Sequence, residues 1–413
     1  MKSISKAART TAQLRGAARL AIDAVTGITN IVEAMHRNIG RVSPIVGTVP
    51  AGKTRGITGL VYRSVRGVTM VVGEGMDKIV APLLGPVLHK MVPVLSKQSP
   101  KREAVLAALN GVFGDTLDAT ANPLAIPMCL RQGGVALTLE QAALAQRFPD
   151  ASGHVLVVVH GLCMNDLQWT QTSENGPAHD HGTTLAHRLG ATPLYLHYNT
   201  GRPISTNGHA LAETLEALIA TWPVPLDTLT LLCHSMGGLV ARSACEVART
   251  QRHTWTAKLK QLVFLGTPHH GAPLERVGSW VDRILAISPY TAPLARLALS
   301  RSAGIQDLRY GHVLERDWAN GQRSKSPSVL PLPKGVRCYA VAASKQKAAK
   351  AGKPSGDGLV PVKSAFGEHD DPSLHLAFPA SRKLLVYDCN HFALLSDQRV
   401  STQLDKWLKK RAR

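Results

Sequence analysis

From His154 onward, short apolar runs alternate with stretches whose apolar residues recur at helical spacing. That alternation is the strongest limit on the fold. Strands separated by a helix cannot be joined as hairpins, so the chain must cross over, which gives a mostly parallel sheet with helices on both faces. Strands are expected at His154–Val159, Pro193–His197, Thr228–Cys233, Gln261–Leu265, Val336–Ala342 and Lys383–Tyr387. Helices are expected near Thr184–Leu189, Asn207–Ala220, Gly238–Thr250 and Phe392–Lys410. Residues 271–333 interrupt two strands and carry helical spacing around Val277–Ile287 and Tyr290–Ser300. An insertion there would cover the strand C-termini as a cap or lid.

Residues 1–145 read differently, with helical spacing in Leu14–Met35, Thr58–Val71, Met76–Val94 and Glu103–Leu117. The expected division is therefore a basic α-helical segment, 1–145, and an α/β catalytic domain, 146–413. Residues 1–103 hold 16 Lys/Arg against 5 Asp/Glu, more than half of the formal net charge of +20. A basic, amphipathic segment fits an anionic membrane or lipid-body surface, or equally a helical subdomain packed on the core with a solvated basic face. Nucleic acid is not the expected partner, because aromatic residues are only 5% of the chain and none interleave with a cationic run. No stretch is apolar enough to span a bilayer and no secretory leader is legible, so the expected setting is cytoplasmic, with peripheral membrane association. The scattered Cys129, Cys163, Cys233, Cys245, Cys338 and Cys389 show neither disulfide nor zinc spacing and read as free thiols.

The chemistry concentrates in four places. Leu231–Gly238, with Cys233-His234-Ser235-Met236-Gly237 at its centre, runs from an apolar strand into a helix, the context of a nucleophile elbow. Small flanking residues are needed where the serine sits on a strained turn; Gly237 satisfies this, and Cys233 replaces the usual glycine. Upstream, Val157-Val158-Val159-His160-Gly161-Leu162 ends a strand where backbone amides can hold an oxyanion, so the amides of Leu162 and Met236 are the expected donors. Asp357, in Ser355-Gly356-Asp357-Gly358-Leu359-Val360-Pro361, is the expected orienting acid, with Asp370, Asp371 and Asp388 as rivals. His391 follows the last strand and can serve as base between Asp357 and Ser235.

Taken with Gly266-Thr267-Pro268-His269-His270-Gly271, these motifs resemble the lipase and esterase branch of the α/β-hydrolases, in particular lipases related to the inositol deacylase of glycosylphosphatidylinositol synthesis. The resemblance spans about residues 150–410. It implies an α/β-hydrolase fold, hydrolysis of a lipidic or acyl ester through an acyl-serine, a Ser-Asp-His triad and no cofactor. It also makes His160, Gly161, His234, Gly237, His269 and His270 site-adjacent. An acyltransferase or thioesterase would use the same triad, and a peripheral membrane adaptor would use the core as scaffold only.

Two motifs point elsewhere. Gly47–Thr54 has the spacing of a phosphate-binding P-loop, but the preceding Ser43-Pro44-Ile45-Val46 is too short and proline-broken for a central strand. His179-Asp180-His181, with His187, carries metal-ligating side chains, yet adjacent polar residues in a loop are expected to be solvated, and no metal is predicted.

Overall fold

The computed structural model describes residues 99–171, 178–271, 302–318, 328, 330–348 and 354–409. The P-loop motif, the three helical stretches before residue 99 and the two helices expected at 277–287 and 290–300 lie outside them. The chain forms two compact units. In the smaller, Met1–Val105 with Leu117–Ala125, the Asn122 amide donates to the Leu117 carbonyl and its side chain accepts from the Leu124 amide. The larger, Leu106–Thr116 with Ile126–Arg413, carries the sheet and every candidate site residue.

Eight strands form one sheet: β1 (Cys129–Gln132), β2 (Val135–Ala136), β3 (His154–Val159), β4 (Thr192–His197), β5 (Thr228–His234), β6 (Leu259–Leu265), β7 (Arg337–Ser344) and β8 (Lys383–Tyr387). Their order is β2-β1-β4-β3-β5-β6-β7-β8, parallel from β4 to β8, with β1 antiparallel to both neighbours. The sheet therefore begins before His154. Cys129-Leu130-Arg131-Gln132 has no apolar run to announce a strand, and its pairing with β4 (Leu130 opposite Leu196) supplies what its own sequence does not. Gly133 and Gly134, both at positive φ, close the β1–β2 hairpin as a two-residue loop that side chains would oppose.

The α-helices among the described residues are α1 (Pro100–Ala119), α2 (Gln141–Arg147), α3 (His181–Leu189), α4 (Ile204–Thr221), α5 (Met236–Gln251), α6 (Ala303–Tyr310), α7 (Val362–Ala365) and α8 (Gln398–Leu408). Asp180 caps α3 through the Thr183 amide, and Gly190 ends it in the left-handed conformation. The last helix is shorter than expected. Ala393–Leu395 is a single 3₁₀ turn, and Asp397 then restarts the chain as α8 by accepting from the Arg399 amide.

Both faces of the sheet are covered, as continuous apolar strands require. On β3, Val155, Val157 and Val159 join the cluster that includes α4 and α5, while Leu156 and Val158 join the one that includes α3 and α8. Successive side chains on a strand point to opposite faces, so β3 is apolar throughout for a physical reason. Against the first face, α4 meets α5 so closely that a Cβ on Gly208 would lie 2.4 Å from the Ser243 Cβ.

That approach gives a test of the packing. Gly208→Ala gains up to about 1 kcal/mol of helix propensity but must separate two packed helices, typically costing about 1–3 kcal/mol. A net loss of about 1–2 kcal/mol is expected in urea denaturation, recovered in part by adding Ser243→Gly.

Candidate active site

Ser235 joins β5 to α5 with φ 54° and ψ −125°, a conformation that L residues rarely adopt. Tertiary contacts hold it there. Its amide donates to the Leu265 carbonyl at the end of β6 (2.9 Å), and its carbonyl accepts from Gly238 (3.1 Å). The small neighbour is needed because a Cβ on Gly237 would stand 2.7 Å from the carbonyl oxygens of Val159 and His160. Cys233 fits where glycine is usual because its side chain is enclosed in the core cluster that includes α5, and burial raises its thiol well above the ordinary range.

The β3 exit lies against the serine, where a Cβ on Gly161 would come 3.0 Å from the Ser235 Cβ. Cys163, at φ 58°, turns the loop back and anchors it by donating its amide to Thr200 Oγ1 (3.1 Å). The amides of Leu162 and Met236 have no acceptor among the described residues. Met236 is also the first residue of a long helix, whose dipole favours negative charge at that end. His160 is no base: it is fully buried, stacks on Tyr198 at 4.5 Å and is pushed down to about 4 by burial.

Asp357 and His391 arrive from the loops after β7 and β8. His391 Nδ1 and Asp357 Oδ2 are 2.7 Å apart, both residues buried. Asp357 Oδ1 accepts from the amides of Leu359 (2.8 Å) and Val360 (2.7 Å), which fixes the orientation of the carboxylate. The His391 amide donates back to the Asp357 carbonyl (3.3 Å), joining the two loops. With Nδ1 committed, Nε2 is the nitrogen left to face the elbow. His234, the residue before Ser235, places its ring 4.7 Å from that of His391 and its Nε2 3.1 Å from the His391 carbonyl. Burial, then the nearby His391, holds His234 well below the ordinary imidazole range.

The rival acids lie elsewhere. Asp370 pairs with Lys363 at the surface, Asp371 accepts from the Ser373 amide, and the Asp388 backbone turns through φ 52° toward Gln346. His269 lies edge-on to Phe264 in the core, and the His270 amide donates to Ser364 Oγ. His181 is buried, not solvated, because it links α3 to the Leu394 carbonyl (3.0 Å) and contacts His179 at 2.9 Å. Asp180 is occupied with its cap and with Tyr195 Oη (2.7 Å), and no metal-ligating cluster occurs among the described residues.

The motifs assign no role to two further supports of the site. Gly266, at φ 58°, leaves room for His391, whose ring a Cβ there would meet at 3.1 Å. On α1, Gly111 and Gly114 let the helix approach Cys163 and Asn199; a Cβ on Gly111 would overlap the Cys163 sulfur. Their spacing of three on a helix was a legible sign of close packing.

A parallel sheet with a serine elbow after β5, a carboxylate after β7 and a histidine after β8 decides the family of folds. The chain is an α/β-hydrolase by fold. A family model described as a domain of unknown function (DUF7379) matches residues 135–308 of the chain. No curated protein matches it. Among solved structures, it is similar to the mature lipase of Bacillus licheniformis at 17% identity, covering 62% of this chain and 92% of that one with a TM-score of 0.39. It is also similar to an α/β-hydrolase superfamily protein of Enterococcus faecalis (19%, 62% and 91%, TM-score 0.33). An esterase of Pyrobaculum calidifontis is a third (15%, 61% and 74%, TM-score 0.34). The narrower likeness to lipases related to the inositol deacylase rests on the sequence motifs alone.

Two outcomes are expected of this geometry. Ser235→Gly removes the Cβ that opposes the positive φ and should raise stability by roughly 1 kcal/mol, measurable as a higher urea midpoint. Separately, His160 and His181 are pushed down to about 4, from an ordinary 6.5, chiefly by burial. The unfolded chain takes up protons there that the folded state refuses, so stability is full above about pH 6.5 and falls as pH drops toward 4. For His160 the loss should approach about 3 kcal/mol, read by comparing urea midpoints of wild type and His160→Gln at pH 7 and 5.

Proposed function

We propose that the protein is a serine-dependent carboxylic ester hydrolase acting on an acyl or lipidic ester. The observation that carries this reading is the His391–Asp357 contact of 2.7 Å, delivered beside a serine held at positive φ at the tip of β5. In the proposed reaction His391 Nε2 takes the Ser235 proton as Oγ bonds to the ester carbonyl carbon. The charge on the carbonyl oxygen is met by the Leu162 and Met236 amides. The tetrahedral intermediate collapses as protonated His391 gives its proton to the departing alcohol, leaving an acyl-serine. Water then bonds to the acyl carbon as His391 takes its proton, and His391 passes that proton to Ser235 Oγ as the acyl–Oγ bond breaks and the acid leaves, while Asp357 keeps the imidazole in one orientation.

The surroundings support this choice of substrate class. A cleft of about 530 Å³ lies beside His391, lined in part by Leu359, Phe392 and Lys345. Apolar walls beside the base suit an ester with a hydrocarbon portion. The basic segment before residue 99 adds a reason to meet such an ester at an anionic lipid surface.

Hydrolysis of p-nitrophenyl esters of increasing chain length, with and without anionic liposomes, tests the proposal. Ser235→Ala and Asp357→Asn should each lose on the order of 10⁴-fold in kcat with unchanged circular dichroism. An undiminished rate in Ser235→Ala would refute the assignment. A preference for long chains, enhanced by liposomes, would support the lipidic substrate; short-chain turnover indifferent to liposomes would rule it out.

A further inference from the structure

Arg242 lies on α5, about two turns beyond Ser235. It is 4% exposed, and no carboxylate pairs with it among the described residues. Its Nη2 donates to the Leu330 carbonyl, and its Nη1 contacts His269 Nδ1 at 3.5 Å. A guanidinium can only donate, so His269 Nδ1 accepts and the ring proton resides on Nε2. That Nε2, the Nε of Arg242 and the Nε2 of His270 are all buried without a hydrogen-bond partner among the described residues. The other His270 nitrogen donates to the Gly367 backbone, so Nε2 of the neutral His270 ring carries the lone pair and can only accept. Burial pushes Arg242 down only to about 10, so it is cationic at neutral pH. The neighbouring Cys245 and Cys338, both pushed well up by burial, remain neutral thiols and offer no countercharge.

An unpaired buried cation is costly, and so is each buried donor left without an acceptor. These groups line one cavity of about 50 Å³, with His375, Ser328 and Ser373 on its other walls. That is room for more than one water, in a polar enclosure. We propose that the cavity binds a small tetrahedral oxyanion, phosphate or sulfate or the phosphate end of a monoester, with Arg242 as countercharge and the Nε of Arg242 and Nε2 of His269 as donors. The donors come from two separate elements, α5 and the loop after β6, and the loop after α7 supplies a further wall of the cavity. Binding is independent of ester turnover, so this site and the proposed hydrolase activity stand or fall separately.

The test is isothermal titration of the phosphate-free full-length protein with sodium phosphate and, separately, sodium sulfate, at ionic strength matched by chloride. Saturable one-site binding is expected, at least about tenfold weaker in His269→Phe, which loses one donor to a charged acceptor, and undetectable in Arg242→Gln. Should Arg242→Gln fail to fold, His269→Phe decides alone. No saturable binding to wild type would overturn the proposal. Equal affinity in wild type and His269→Phe would overturn it too. Glycerol 3-phosphate that competes with phosphate would assign the site to phosphomonoesters, and failure to compete would assign it to the free oxyanion.

Discussion

The structure of the larger unit depends on how closely the C-terminal ends of β3, β5 and β6 approach one another. Ser235 is kept at positive φ because its amide reaches the Leu265 carbonyl, while Gly237 and Gly161 leave no side chain between β3 and the elbow. Strain of this kind costs about 1–3 kcal/mol and persists only where the surroundings over-determine it. The two fully covered faces of the sheet supply that determination. Leu231 packs toward the face that includes α4 and α5, and Leu232 toward the face that includes α3 and α8, so the strand leading into the elbow cannot turn without emptying both clusters.

The same tightness explains the unusual number of buried imidazoles. His160, His181, His197, His234 and His269 are all buried, and burial lowers the affinity of each for a second proton. As neutral rings they act as compact polar connectors. His160 ties the β3 exit to Tyr198, His181 ties α3 to the turn before α8, and His234 ties the elbow to the loop bearing His391. The loops of the site are thus fastened to one another through histidines that have no proton to exchange at neutral pH. Arg242 departs from this economy, since it alone among these buried groups carries charge at neutral pH.

The central strands and their flanking helices were legible because burial on both faces writes itself as continuous apolar runs, and helix faces as a 3.6-residue period. Strands β3 and β8 begin and end where the apolar pattern does. The elbow was legible because a strained turn admits few residue types. Strand β1 was not, because an edge strand of four mixed residues is stabilised by pairing with β4 and carries no pattern of its own. The turn before α8 was hidden for a similar reason: Phe392-Ala393-Leu394-Leu395 is as apolar as a helix, and only the Asp397 cap marks where the helix begins.

The order of chemical groups along the chain, serine after β5, carboxylate after β7 and histidine after β8, is a property of the sequence, because each group is tied to a strand end that local hydropathy specifies. Which of four aspartates meets His391 is not. That choice follows from Gly356 and Gly358, both at positive φ, turning the Asp357 carboxylate toward the β8 loop, and from Gly266 leaving space for the ring. The role of Arg242 was equally invisible, since an arginine in an amphipathic helix reads as a solvated charge until the facing elements are in place. Local pattern determined which residues stand at the ends of strands; only the packed sheet decided which of them touch, because contact between residues more than a hundred positions apart is set by the register and layering of elements that no local window contains.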